Sequence, residues 1–319
     1  MLEAPVKPAM NISWGAKTCS QNKARENTMD PKTYRVVWVA VSLMSASFAH
    51  ATPFFSTGNP DGRIGMASRP ASTGMFEIEA ADDFILSQQT KITNATFTGL
   101  LTGGATASDI GAVSVEIYRV FPKDSNNPPS GHVPTRVNSP SDVAFDSRAG
   151  GGLSFSSSML NSSFTTLNSV QPGGIHPAPN QTTGGNGPIT GAEVEFDISF
   201  VTPFDLPADH YFFVPQVQLT NGDFYWLSAP RPIVPPGTPF APDLQTWTRD
   251  ANLDPDWLRV GTDIVGGSPA PTYNAAFSLS GQPSSSGSVP EPGSLTLTAI
   301  GSFALFVERR WRPAKQPSC

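Results

Sequence analysis

Residues 193–200 have the sequence EVEFDISF, and their alternation decides the fold. Every second side chain is apolar (Val194, Phe196, Ile198, Phe200), and those between are polar (Glu193, Glu195, Asp197, Ser199). Because successive side chains of a strand point to opposite faces, this period predicts a strand with one buried and one solvated face. Such half-buried strands are typical of antiparallel sheets.

Similar but shorter patterns recur along the chain. Residues 112–120 place Val113, Val115 and Ile117 on one side. Further predicted strands are 83–86, 92–100, 153–155, 211–217, 224–227, 244–247, 257–260 and 275–279. Clusters rich in Pro, Gly and Asn separate them, and 164–188 is predicted to be a long exposed loop.

Composition supports the same fold class. The 319 residues include 32 Pro and 28 Gly, which disfavours long helices. About ten short strands joined by Pro/Gly loops predict one all-β domain over 52–282, an antiparallel β-sandwich of jelly-roll type.

Charge and cysteine content exclude some classes of function. Charged residues make up only 14% of the chain and the net charge is −6, which excludes the basic face that nucleic acid binding needs. Cys19 and Cys319 lie outside this body, so we expect no disulfide or thiol chemistry in it.

The N-terminal region has the layout of an export signal. Residues 1–28 lack apolar periodicity and are interpreted as a disordered arm or a non-native extension before Met29. Residues 29–51 combine a small basic region, a short apolar run and Ala49-His50-Ala51, which fits a cleavable signal peptide with cleavage after Ala51. The competing interpretations are an N-terminal membrane anchor and a buried strand.

The C-terminal region carries three consecutive elements. A Ser/Gly linker at 283–288 precedes residues 289–312, in which Pro290-Glu291-Pro292 is followed by the charge-free segment 293–307 and then by Arg309, Arg310 and Arg312. A transmembrane helix over 293–307 is predicted, with the tail 313–319 on the cytoplasmic side. Its length is below the ~20 residues that a stable span prefers, which favours a processing signal over a lasting anchor.

This tripartite end resembles the PEP-CTERM sorting signal. The resemblance implies recognition by an exosortase, a membrane enzyme that cleaves near Pro-Glu-Pro, in bacteria that make exopolysaccharide. Glu308 before the arginines and the tail 313–319 after them depart from the pattern. A plain membrane anchor is the alternative, and it would also place the body outside the cell.

The body is similar to uncharacterised exported bacterial domains with an early Ala-Asp-Asp-Phe and a late Ala-Phe-Ser-Leu-Ser-Gly. Here these are residues 81–84 and 276–281. The resemblance implies a sandwich fold and no known activity.

No catalytic or zinc motif is present. The histidines show no metal-ligand spacing, and no G-x-S-x-G elbow occurs. Glu193, Glu195 and Asp197 could include a catalytic acid pair, but a solvated sheet face explains all three.

No cofactor is expected, with one exception. Asp250, Asn252, Asp254 and Asp256 place oxygen ligands at every second position, which makes them a candidate calcium site. It is not an EF-hand, and a simple turn explains the same residues. Asp82 and Asp83 form another candidate ligand pair.

Three functions remain open from the sequence. The first is a non-enzymatic surface or matrix protein of structural or adhesive type, in contact with extracellular polysaccharide. The second is a calcium-supported carbohydrate-binding module, which requires exposed Trp or Tyr rings on one sheet face. The aromatic residues in question are Tyr211, Phe212, Phe213, Phe224, Tyr225, Trp226, Trp247 and Trp257, for which burial in the core is the alternative. The third is a secreted glycan-active enzyme, which requires two facing carboxylates in a cleft.

Overall fold

The computed structural model describes residues 52–126, 131–175 and 181–284, and this part of the chain is all-β. The strands are β1 (Phe55–Ser56), β2 (Ile64–Ala67), β3 (Ile78–Leu86), β4 (Thr90–Leu101), β5 (Ile110–Arg119), β6 (Asp146–Ala149), β7 (Leu153–Thr166), β8 (Asn168–Val170), β9 (Ile189–Leu206), β10 (Asp209–Leu219), β11 (Phe224–Ala229), β12 (Trp247–Asp250), β13 (Leu258–Arg259), β14 (Asn274–Ala275) and β15 (Phe277–Pro283). Short 3₁₀ turns occupy Ala107–Asp109, Gly150–Gly152 and Pro172–Gly174, and a π-helical turn occupies Val260–Val265.

The nine-stranded sheet, here the large sheet, is built around β4. One edge of β4 pairs along its length with β9, which pairs in turn with β7. The other edge pairs first with β15 and then with β11. β1 extends the sheet beyond β15, while β2 and β8 extend it beyond β11. The pairs are antiparallel except for β2 with β8.

The six-stranded sheet, here the small sheet, has the order β13-β12-β3-β10-β5-β6, and its pairs are antiparallel. The predicted strand 193–200 lies within β9, and its apolar residues face the core as expected. The structure therefore confirms an all-β fold with two largely antiparallel sheets.

Aromatic side chains fill the space between the sheets. Phe213 of the small sheet stacks on Phe277 of the large sheet, with ring centroids 5.0 Å apart and planes 2° from parallel. Phe97 and Phe196 stack at 4.8 Å within the large sheet. The Trp226 indole is fully buried and donates a hydrogen bond to the Ala276 carbonyl at 2.9 Å. Such rings bury much apolar area, which is the main stabilising contribution in a body without disulfides.

The small sheet is covered on both faces. Its outer face, turned away from the large sheet, carries a second apolar cluster of Ala81, Tyr118, Phe212, Val214, Leu244, Trp247 and Trp257. Loops covering this face explain why β3 is buried along both faces and why its sequence, IEAADDFIL, lacks a clean alternation.

The predicted exposed loop at 164–188 is wrong in part. β7 continues to Thr166, and β8 pairs with β2 and buries Ser169 and Val170 completely. β8 was not predicted because it has only three residues and lies between turn-forming neighbours, too short a stretch to show an alternating pattern.

Candidate functional site

The outer face of the small sheet brings together four charged or phenolic side chains. β3 supplies Glu79, β5 supplies Glu116 and Tyr118, and β12 supplies Arg249. Alternation along each strand turns these residues to the same face as the apolar Trp247 and Trp257 cluster. The group therefore lies partly inside an apolar environment, where its hydrogen bonds are stronger than in water.

The Tyr118 hydroxyl is the centre of the group. Its oxygen lies 2.7 Å from Oε1 of Glu79 and 2.7 Å from Oε2 of Glu116. It also accepts a hydrogen bond from Nη2 of Arg249 at 2.9 Å. A phenol has one proton to donate, so it can satisfy only one of the two carboxylates. The second close contact is favourable only when one carboxyl group carries a proton of its own.

The surroundings favour Glu79 as the carrier of that proton. Burial raises the pKa of Glu79 to about 7, although the charge and hydrogen bond of Arg249 oppose this rise. Burial and the neighbouring Glu79 carboxylate raise the pKa of Tyr118, so the phenol keeps its proton. Glu79 is therefore a carboxyl group that exchanges its proton near neutral pH.

The same side chains line an open pocket, here the acidic pocket, with a volume of about 370 Å³. Its polar lining consists of Glu77, Glu79, Glu116, Tyr118, Asp142, Arg249, Asp250 and Asp254. Carboxylates outnumber the single guanidinium, so the pocket is negatively charged. Its geometry suits a polar, hydroxyl-rich or cationic ligand, and Glu79 could supply or accept a proton there.

Arg249 also holds the loops that form the rim. Its Nη1 donates to the carbonyls of Asp142 and Pro255 at 3.2 and 3.3 Å and forms an ion pair with Asp254 at 2.8 Å. Arg136, also fully buried, forms ion pairs with Asp142 and Asp256. These contacts fix the position of the pocket wall relative to the sheet.

The structure does not bring the four predicted calcium ligands together as a metal site. Asp250 caps a turn, because its Oδ1 accepts hydrogen bonds from the backbone of Asn252 and Leu253 at 2.9 and 3.0 Å. Asp254 pairs with Arg249 and Asp256 with Arg136. Across residues 52–126, 131–175 and 181–284, no group of three or more His, Cys, Asp or Glu side chains is arranged to hold a metal ion.

Asp82 and Asp83 do not form a ligand pair either. They point to opposite faces of β3, as adjacent strand residues must. Oδ2 of Asp82 accepts the backbone N–H of Ala275 at 2.8 Å on the core side. Asp83 accepts the N–H of Leu244 at 3.1 Å on the outer side, where it also lies 2.6 Å from Nε2 of His210. Their opposite directions rule out joint binding of one ion.

The carbohydrate-binding alternative requires exposed aromatic rings, and in the described part of the chain the structure buries them instead. Each Trp and Tyr side chain there is at most 5% exposed. Tyr211, Phe213, Phe224, Tyr225 and Trp226 belong to the core between the sheets, and Phe212, Trp247 and Trp257 belong to the outer cluster. Two separate apolar clusters occupy all of them, so none remains for stacking on sugars.

The acids of β9 lie on the outer face of the large sheet, as the alternation predicts. Glu193 is nearly buried, while Glu195 and Asp197 are half-buried. Partial burial raises the pKa of Glu193 and Glu195, the latter with a contribution from Asp197. No facing acid pair forms there, because the neighbouring positions on β7 are Ser156 and Ser158.

The predicted export and sorting residues lie outside the described residues. These are Ala49, Ala51, Pro290, Glu291, Pro292, Arg309, Arg310 and Arg312, together with the segment 293–307. Within the part that the structure describes, no helix is both long enough and apolar enough to cross a membrane.

Sequence reasoning missed the acidic pocket. Its residues come from three strands and three loop segments that are distant in sequence, and no spacing rule connects them. Asp250 and Asp254 belong to the predicted calcium ligands, but their partners in the pocket were not predicted. The signal for the strand side was the acidic content of IEAADDFIL, since acids within an apolar run require buried partners.

Comparisons with known proteins identified no relative of this chain. No protein-family model matches the chain, and no curated protein or solved structure shows a significant match.

Proposed function

We propose that this chain is an exported protein of the bacterial cell surface or extracellular matrix, with a structural or adhesive role in contact with extracellular polysaccharide. The signal-peptide pattern at 29–51 supports export. The resemblance of 289–312 to a PEP-CTERM signal supports sorting by an exosortase-type enzyme, with a transient or lasting membrane anchor. We also propose that the two-sheet body is related to the jelly-roll sandwiches.

One observation carries the adhesive part of this proposal. The outer face of the large sheet is a continuous surface rich in hydroxyl groups. Ser154, Ser156 and Ser158 of β7 are exposed there beside Ser199 and the half-buried acids of β9. Asn94 on β4 continues this surface and donates a hydrogen bond to the Ser199 hydroxyl at 2.9 Å. Hydroxyls, amides and carboxylates can both donate to and accept from the hydroxyl groups of a polysaccharide.

The test uses the exported protein and the exopolysaccharide of its host. Changing Ser154, Ser156 and Ser158 together to Ala should lower binding in a co-sedimentation assay. Changing three exposed serines elsewhere, Ser87, Ser147 and Ser268, to Ala is the matched control and should leave binding unchanged. Equal binding by both triple variants would contradict the adhesive surface. Mass analysis of both mature termini tests sorting, which predicts cleavage after Ala51 and near Glu291.

A second candidate function, a glycan-active enzyme, is favoured by the acidic pocket. Glu79 and Glu116 both line this pocket, and each lies 2.7 Å from the Tyr118 hydroxyl oxygen. Retaining glycosidases use two carboxyl groups, one acting as acid and the other as nucleophile. Glu79, with its raised pKa, would be the acid. Glycan hydrolysis by the purified chain that is lost in Glu116→Gln but kept in Glu195→Gln would establish this activity.

A further inference from the structure

β7 is a sheet edge of unusual length. It has 14 residues and, among the described residues, pairs with β9 alone. The other terminal strands of the two sheets are short: β1 and β13 have two residues each, β8 has three and β6 has four. A free edge presents a row of unpaired N–H and C=O groups to any strand that can dock.

β7 carries only part of the usual protection of an edge. Proteins block edges with charged side chains, proline, short length or β-bulges. The register of β7 with β9 shifts after Met159 and again after Asn161, so bulges interrupt its second half, whereas Leu153–Met159 pairs regularly. The sequence of β7, LSFSSSMLNSSFTT, contains no charge and no proline. β6, at the edge of the small sheet, differs, since its Arg148 and Asp146 form an ion pair there. The edge at β6 is therefore protected by charge, while the regular part of β7, Leu153–Met159, has no such protection.

The core-facing side of β7 carries two apolar side chains that are largely uncovered. Phe155 lies opposite Ile198 of β9, and Met159 lies opposite Val194. Both β9 residues are 1% exposed, whereas Phe155 is 39% and Met159 59% exposed. The large sheet thus extends one strand beyond the cover that the small sheet provides. Exposed apolar side chains next to an open edge mark an interaction surface.

We propose that β7 pairs with β7 of a second copy of this chain in an antiparallel arrangement, so that the two large sheets become continuous. An uncharged strand is compatible with itself, and its serine hydroxyls can both donate and accept hydrogen bonds across the pair. Two-fold symmetry makes the contact self-complementary. This proposal is independent of export and of polysaccharide binding.

The charge distribution favours this partner. The nearest acids, Glu193, Glu195 and Asp197, lie on β9, one strand inward. In the paired sheet, three strand spacings would separate the acids of one copy from those of the other, or about 14 Å. This exceeds the screening length of ~8 Å at physiological salt, so a chain with net charge −6 can pair here without strong repulsion.

The test measures the oligomeric state of the full chain in mild detergent by sedimentation velocity over a range of concentrations. We expect a reversible dimer. Met159→Lys places a charge on the exposed apolar side of β7, at the end of its regular part, and should weaken dimerisation about tenfold or more. Val234→Lys makes the same change at a site of similar exposure, 54%, on a distant loop and should have no effect.

A cysteine scan provides an independent measurement that does not depend on a destabilising variant. Single cysteines are placed at each of residues 156–161 in a chain carrying Cys19→Ser and Cys319→Ser. Antiparallel pairing predicts self-cross-linking at one or two central positions only. A monomer at all concentrations, equal effects of the two lysine variants, or uniform cross-linking along the strand would overturn the proposal. Dimerisation that appears only after removal of 289–319 would also overturn it, because the chain's own tail would then occupy the edge.

Discussion

Arg249 lies directly opposite Glu79 in the β12–β3 ladder, and its Nε donates a hydrogen bond to Glu79 Oε2 where only 6% and 5% of the two side chains are exposed. The Arg249 guanidinium also lies over the Trp257 ring, 4.3 Å from its centroid. The pair therefore sits at the junction of the acidic pocket and the outer apolar cluster. Its main role in the folded state is to keep a buried carboxyl group from being left without a partner.

At pH 8, above the pKa of Glu79, Arg249→Met should lower the free energy of unfolding by about 3–5 kcal/mol, because it leaves the ionised Glu79 without its cation in a buried position. Urea unfolding followed by tryptophan fluorescence measures this loss. The double variant Arg249→Met/Glu79→Gln should recover part of it, since the uncompensated carboxylate is then removed. Lys123→Met, which removes the more exposed pair with Asp209, is the control and should cost about 0–1 kcal/mol. An equal cost for both single variants would show that Glu79 does not need a partner.

The stability of the body should fall as the pH rises from 5 to 8. Burial raises the pKa of Glu79 from 4.5 to about 7 and, despite hydrogen bonding to His210, that of Asp83 from 3.8 to about 6. A carboxyl group whose pKa is higher in the folded state binds its proton more tightly there. Its contribution to stability is complete below the unfolded pKa and is lost as the pH passes the folded pKa.

Melting temperatures across this pH range, followed by circular dichroism, test the effect. Glu79→Gln should flatten the upper part of the profile, between pH 6 and 8. Ser87→Ala, at an exposed and uncharged position, should leave the profile unchanged. A profile that rises towards pH 8 in the unmodified protein would contradict the assignment.

Gly99 should not tolerate alanine, because β4 and β11 approach closely at this residue. A Cβ atom there would lie 2.1 Å from the Phe224 ring and 2.7 Å from the Tyr225 carbonyl oxygen. Neither the buried ring nor the backbone can move far, so Gly99→Ala should cost about 1–3 kcal/mol through overpacking. Gly151→Ala, where no atom lies within 4 Å, should change stability by less than about 0.5 kcal/mol. Chemical denaturation of the two variants gives the comparison directly.

The alternating strands were predictable from the sequence, and the acidic pocket was not. Residues 193–200 and 112–120 each bury one face, so the polarity pattern records their environment. β3 buries both faces, and the pattern of Glu79, Asp82 and Asp83 then depends on partners from other strands. Tyr118 and Arg249 meet Glu79 only through the tertiary fold, which no local period encodes. The candidate calcium ligands depend on tertiary partners in the same way: spacing places Asp250, Asp254 and Asp256 near one another, and in the structure Asp254 pairs with Arg249 and Asp256 with Arg136.

Asp82 should be replaceable by asparagine, with an effect that depends on pH. Its side chain points into the core, and burial, followed by the charge of Asp83, raises its pKa well above the usual range. Oδ2 accepts the N–H of Ala275 at 2.8 Å, and Oδ1 is buried with no hydrogen-bond partner in the described structure. The neutral acid is therefore the form that the core favours.

Asparagine keeps an acceptor for Ala275 and is neutral at every pH. Asp82→Asn should therefore match the unmodified protein within about 1 kcal/mol at pH 5 and be more stable than it at pH 8, where ionisation of the aspartate opposes folding. Asp82→Leu keeps a similar volume but leaves the Ala275 N–H unsatisfied, so it should be about 1–3 kcal/mol less stable than Asp82→Asn at both pH values. Urea titrations of all three proteins at pH 5 and pH 8 separate the two contributions. If Asp82→Asn is destabilised more at pH 8 than at pH 5, the carboxylate is held in its charged form, and the core side of β3 contains a cation that offsets it.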